Sequence, residues 1–312
     1  MHQLNESIRE ILDRVDPERM RGDLFSLARD PLPCRRANVT LPGHDRSTLD
    51  EADDLISSRL ESWGCEVLRE PAQVQAYRCD TTKHPQAQYS PPVPEDPWYT
   101  VHNLHATRNG TERPDEIIMA IAHKDSQSWV DSPGAGDNAI GAVGVMEMAR
   151  VLARVETART VRFMFCNEEH TPWTSRVAAE NAQKRGDRII AVFNTDGIGR
   201  KSPEDNAAGK KTNVTKYTTP EGRALGELLC EVNALYGIGL DQSLFERPAP
   251  GDDDGSFVTA GFGAAVMNIG CNPSTADPNY HTVDDLPELV DVDNAAMTVR
   301  MILGAILTLD ES

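Results

Sequence analysis

Glu116-Ile-Ile-Met-Ala-Ile-Ala-His-Lys-Asp125 decides the architecture. An unbroken apolar run this short reads as a strand buried on both faces. It stops abruptly on a histidine, a lysine and an aspartate. The pattern recurs downstream. Val161-Arg-Phe-Met-Phe-Cys166 runs into Asn-Glu-Glu, and Ile189-Ile-Ala-Val-Phe193 runs into Asn-Thr-Asp196. A further run spans 264–269. Segments of helical period stand between and after these strands, at 139–153, 177–184, 220–236 and 293–309. Thr219 is placed to cap the third of them, with Pro220 at its first position. Strands alternating with helices predict an α/β fold: a single globular domain with a mostly parallel central sheet flanked by helices.

The whole of 1–312 reads as one domain, with the alternating core at 98–312 and a leading part at 1–97. Residues 1–16 read as an amphipathic helix. Thr48-Leu49-Asp50-Glu51 reads as a capping box opening a helix that runs to Trp63. Ala52, Leu55, Ile56, Leu60 and Trp63 give that helix its apolar period. Gly64 stops it, and a strand begins at Cys65. Pro85, Pro91, Pro92, Pro94 and Pro97 make 80–97 a loop over the surface, read either as a border of the active site or as a plain surface insertion.

The formal charge is −18. Such acidity argues against nucleic acid and anionic membranes as partners, since both need basic surface. The opening residues contain no apolar stretch of signal-peptide length, and no segment reads as long and apolar enough to cross a bilayer. A cytoplasmic location is the expectation. Six cysteines include no C-x-x-C pair. Cys166 and Cys230 lie in apolar runs and are expected as buried thiols.

The chemistry lies where the strands stop. In open parallel sheets, ligands gather beyond the carboxyl ends of the strands. His123, Glu168, Glu169 and Asp196 fall there, and His281 follows 264–269 after a loop. Asp137 sits in Pro133-Gly-Ala-Gly-Asp-Asn138, just ahead of a helix. Alone it would read as an N-cap. In company with His123, Glu169, Asp196 and His281 it reads as a metal ligand. Imidazole and carboxylate suit zinc, and carboxylate-rich sites also take manganese or cobalt. Adjacent glutamates diverge, so one can bind metal while the other faces the substrate pocket and takes a proton from water. Asp125, two residues beyond His123, points to the same side and can accept a hydrogen bond from the non-ligating nitrogen of the ring. Lys124 points the other way and reads as a salt-bridge or surface lysine.

These runs resemble the co-catalytic zinc aminopeptidases, the family of the bacterial leucyl aminopeptidases, glutamate carboxypeptidases and glutaminyl cyclases. Six motifs carry the resemblance in order. The first two are Ala122-His-Lys-Asp-Ser126 and Pro133-Gly-Ala-Gly-Asp-Asn-Ala-Ile-Gly141. Residues 161–169 with Ser175, Asn194-Thr-Asp-Gly-Ile-Gly199, residues 253–257 and Tyr280-His-Thr-Val-Asp-Asp285 follow. The match covers about 98–309, and 40–70 resemble the family's leading helix and strand. It implies a zinc exopeptidase-like fold and two zinc ions. His123, Asp137 and Asp196 would hold one ion; Asp137, Glu169 and His281 would hold the other, with Asp137 as the bridge. Glu168 would be the general base. Tyr280 matches a tyrosine that donates to the oxyanion in some members, and Asp253 matches a structural acid.

Two departures stand out. Gly136 occupies a place where the family commonly has aspartate. His170-Thr-Pro-Trp173-Thr replaces the usual small and leucine residues, so Trp173 reads either as a pocket wall or as packing under the sheet edge. The leading expectation is an aminopeptidase acting on a peptide or small amide. A glutaminyl cyclase-like transferase is the alternative, disfavoured because Tyr280 stands where that branch has tryptophan. A carboxypeptidase or other amidohydrolase on the same core and an inactive binding homologue complete the set.

Overall fold

The apolar runs do become strands. The computed structural model describes residues 3–312. Its strands are β1 (Glu66–Ala76), β2 (Arg78–Cys79), β3 (Tyr89–Ser90), β4 (Tyr99–Arg108), β5 (Arg113–His123), β6 (Arg159–Cys166), β7 (His170–Thr171), β8 (Arg188–Thr195), β9 (Thr212–Tyr217), β10 (Asp241–Glu246) and β11 (Ala265–Ile269). Nine of them form one sheet in the order β10-β9-β11-β8-β5-β6-β4-β1-β7, while β2 and β3 pair separately.

The expected parallel sheet is its centre: β6, β5, β8 and β11 lie parallel to one another. Outside it antiparallel pairings enter, although the edge strand β10 lies parallel to β9. β4 pairs antiparallel with β6 and β1 with β4 on one side, and β9 pairs antiparallel with β11 on the other. The full sheet is therefore mixed. Parallel strands need covered faces, and Ile118, Ala120, Phe163 and Phe193 are fully buried. Helices Ile140–Leu152, Pro220–Leu235 and Val292–Glu311 form the larger core on one face with Pro17–Ala28. Helices Thr174–Arg185 and Asp252–Thr259 cover the other face through Ala178, Ala179 and Phe257.

Several local expectations need correction. The N-terminal helix is only Glu6–Leu12, capped by Asn5; the first two residues of the expected span lie outside the described residues. A second helix, Pro17–Ala28, follows with Asp16 as its cap. Asp16-Pro17 is a helix-start signal in the sequence. The capping box at the third helix begins one residue earlier than expected, at Ser47, with Asp50 as its return partner. Thr48 is buried instead, its hydroxyl exchanging hydrogen bonds with the backbone of Arg36. The expectation that no segment is apolar enough to span a bilayer also fails: Val292–Glu311 is, by length and composition. Here 78% of its apolar window is buried within the protein. Cys166 is buried as expected, but Cys230 is only partly so.

Candidate functional site

Each ligand-type side chain leaves the sheet at a strand end or in the loop beyond it. His123 is the last residue of β5, and Asp196 directly follows β8. Glu168 and Glu169 lie between β6 and β7. His281 occupies the loop after β11 with φ of 60°. Asp137 stands at φ −130° in the turn ahead of Ile140–Leu152 and caps nothing with its side chain. The capping duty falls to Asn138, whose Oδ1 accepts the N–H groups of Gly141 and Gly197, each at 3.0 Å.

The structure brings all five together. Asp137 Oδ1 lies 3.2 Å from His123 Nε2, which is 3.6 Å from Asp196 Oδ1. Asp137 Oδ2 lies 3.0 Å from His281 Nε2, which is 3.2 Å from Glu169 Oε1. The two oxygens of one carboxylate thus face two separate ring–carboxylate pairs. A tetrahedral zinc with bonds of about 2.0–2.1 Å sets its ligand atoms about 3.3–3.4 Å apart. The observed separations fit that edge length on both sides of Asp137. Each ring also has its other nitrogen engaged. His123 Nδ1 faces Asp125 Oδ1 at 3.3 Å, as expected, and His281 Nδ1 faces the carbonyl of Gln86 at 3.1 Å. Both rings therefore present Nε2 to the centre, the arrangement that second partners impose on ligating histidines.

The electrostatics favour a cation. Burial alone would push the His281 ring down, yet Glu169 and Asp137 push it up to about 10. His123 is driven the same way by Asp125, Asp137 and Asp196 against its burial. Burial would raise Asp137, but the two rings hold it well below the ordinary carboxylate range. Negative charge collects here and draws positive charge onto its neighbours, and a dication would supply that charge directly.

Glu168 is half-buried, and its Oε2 has no hydrogen-bond partner among the described residues. A carboxylate oxygen of Glu168 lies within 4.8 Å of ligand atoms of His123 and Asp196. Burial, then Asp253 and Asp252, raise its carboxyl well above the usual range. Tyr280 stacks on His281 with ring centroids 3.6 Å apart and lines the same hollow. Burial keeps its phenol protonated far above neutral pH. Asp253 is fully buried behind the site.

Other positions decide between expectations that stood open. Of the two readings of Lys124, the salt-bridge one holds: the lysine is fully buried, with Nζ 2.9 Å from Asp53 Oδ1 and 2.7 Å from Asn167 Oδ1. The proline-rich loop does not merely pass over the surface. Besides Gln86, it contributes Tyr89, which packs with Trp129 and Tyr77 around His281. Trp173 is a wall of the hollow. Gly136 also has a local reason. A Cβ there would lie 2.8 Å from both Arg200 Nε and Asp285 Oδ1. Glycine makes room for the Arg200–Asp285 pair, whose carboxylate accepts the backbone N–H of Asp137 at 2.9 Å.

Two supporting side chains were missed. Gln127 donates to Asp137 Oδ2 at 2.8 Å, and His170 Nδ1 meets Asp125 Oδ2 at 2.7 Å. Gln127 continues the every-second-residue series His123, Asp125, Gln127, which was the available signal.

Fold and donor set belong together in one class, the metallopeptidases built on an α/β sheet. Residues 103–306 match the sequence pattern of Peptidase family M28, and the chain belongs to that family. It is 27% identical over 245 residues to a probable zinc metalloprotease of Pyricularia oryzae, covering 66% of this chain and 49% of that protein. It is 28% identical over 195 residues to aminopeptidase YwaD of Bacillus subtilis, covering 61% and 40% respectively. The chain thus spans about half or less of the length of these relatives. Among solved structures, the LapA aminopeptidase of Legionella pneumophila superposes with a TM-score of 0.74 at 17% identity, over 98% of this chain and 75% of that one. At that identity the likeness speaks for the fold alone.

Proposed function

We propose that this chain is a metal-dependent aminopeptidase with two zinc ions, hydrolysing the N-terminal bond of a peptide or related amide. The observation that carries the reading is the division of Asp137 between two ring–carboxylate pairs with Glu168 beside them. His123, Asp137 and Asp196 would hold one ion and Asp137, Glu169 and His281 the other. Zinc at such a site polarises a carbonyl and acidifies water.

The protein's own side chains divide the remaining work. Glu168 takes a proton from the attacking water and delivers it to the departing amine. The protonated phenol of Tyr280 is available to donate to the developing oxyanion. Asp125 orients His123 and the backbone of the glutamate pair. All six cysteines are free and Cys79 is exposed, which supports a reducing, cytoplasmic setting.

Zinc-loaded protein should be offered aminoacyl anilides, N-acyl amino acids, peptides with blocked N-termini and N-terminal glutamine peptides. Release of free N-terminal residues is the expected result. Activity confined to N-acyl or C-terminal bonds would overturn the reading in favour of a deacylase or carboxypeptidase. Ammonia release with ring closure from glutamine peptides would make the chain a cyclase.

A further inference from the structure

We propose that the catalytic hollow opens into a second lobe where Arg176, stacked on Trp173, receives a carboxylate of the substrate. This rests on the aminopeptidase reading. The hollow measures about 180 Å³, below the roughly 300–1,000 Å³ of small-molecule sites. Trp173 and Asp252 line it, and both also line an adjoining cavity of about 370 Å³. Trp173 and Asp252 are thus walls common to both spaces, which places the second beside the catalytic hollow.

Arg176 is the only cationic side chain lining the second lobe among the described residues. Its guanidinium carbon sits 5.3 Å from the centroid of the Trp173 ring. A guanidinium over an aromatic face is held there by attraction to the ring's negative face, and on this exposed side chain the N–H groups stay accessible. The acids of the lobe already face other cations: Glu180 lies 3.8 Å from Lys184, and Asp252 Oδ2 lies 2.9 Å from Arg247. No carboxylate pairs with Arg176 among the described residues. Helix stability does not account for it. Arg176 lies in the first turn of Thr174–Arg185, where a cation opposes the helix dipole. A planar N–H fork of this kind matches a carboxylate in bidentate fashion. It would also offset the repulsion that the acidic hollow exerts on an anionic substrate.

The carboxylate has two possible sources, and paired substrates separate them. Aspartyl and asparaginyl anilides differ only in the side chain of the N-terminal residue. Leu-Gly and Leu-Gly-Gly as free acids, each against its C-terminal amide, differ only downstream. The acid of one pair is expected to exceed its neutral partner in kcat/KM by about three- to fivefold, the scale of a partly exposed ion pair. In Arg176→Ala that ratio should fall to one or below. In Arg176→Glu it should invert, and Arg176→Lys should keep part of it. Each ratio is taken within one preparation, so a poorly folded variant loses both rates and does not mimic the result.

A ratio of one in every pair of the wild type, or a preference that survives in Arg176→Ala, overturns the proposal while cleavage of neutral substrates leaves the aminopeptidase reading standing. Failure to cleave any aminoacyl substrate overturns both.

Discussion

Asp125 holds Glu168 by its backbone: Oδ1 accepts the Glu168 N–H at 2.9 Å. Its other oxygen takes the Glu169 N–H at 2.9 Å and His170 Nδ1 at 2.7 Å. The same buried carboxylate faces His123. One side chain thereby sets a ligand ring and the peptide units of both glutamates. Asp125→Asn turns one acceptor into an NH2 group that must face an N–H. Zinc affinity should fall about 10- to 100-fold, with turnover following, as read by competition against a chromophoric chelator. Unaltered affinity would remove the positioning role.

Glu168→Gln keeps the volume and loses the proton acceptor. We expect kcat to drop by about two to four orders of magnitude while zinc content stays at the wild-type level. Steady-state kinetics with elemental analysis checks both. A fully active variant would move the base elsewhere.

Lys124 and Asp53 are both essentially inaccessible to solvent. Burial raises the Asp53 carboxyl, and the lysine opposes that rise. Lys124→Met strands the acid and should cost about 3–5 kcal/mol. Adding Asp53→Leu should recover most of that loss. Chemical denaturation of the two variants compares them, and equal losses would show that the pair does not act as a unit.

Glu70 offers a pH test remote from the metal centre. Burial would raise its carboxyl, but His105, Asn103 and Asn181 hold it down to about 2. A depressed carboxylate stabilises the fold above its unfolded value of about 4.5 and loses that contribution as pH falls toward 2. With solvent screening allowed for, Glu70→Gln should cost about 1 kcal/mol at neutral pH. The gap between the two proteins should close between pH 4.5 and 2. Melting curves across that range would show it, and a gap that widened on acidification would reverse the assignment.

The sheet centre and the five converging side chains were legible because short apolar runs ending in His, Glu and Asp leave few alternatives. The antiparallel flanks were not, since β1 and β4 reach each other through the proline-rich loop and no periodic pattern announces such a pairing. The partner and the burial of Lys124 were hidden for a related reason. A lysine at a strand end is ordinarily solvated, and only Asp53, from a helix far earlier in the chain, makes its burial tolerable. Trp173 could be read only as wall or packing, and Arg176 was beyond reach, because cleft shape is set by loops, whose geometry has no spacing rule.

His281 leans on Gln86 through a main-chain oxygen. Such a contact is blind to side-chain identity. Point substitutions across most of the 80–97 segment can therefore drift without disturbing the last ligand ring, whereas a one-residue insertion or deletion shifts the supporting oxygen and turns the imidazole away. Variation in that segment should be tolerated in letter and punished in length.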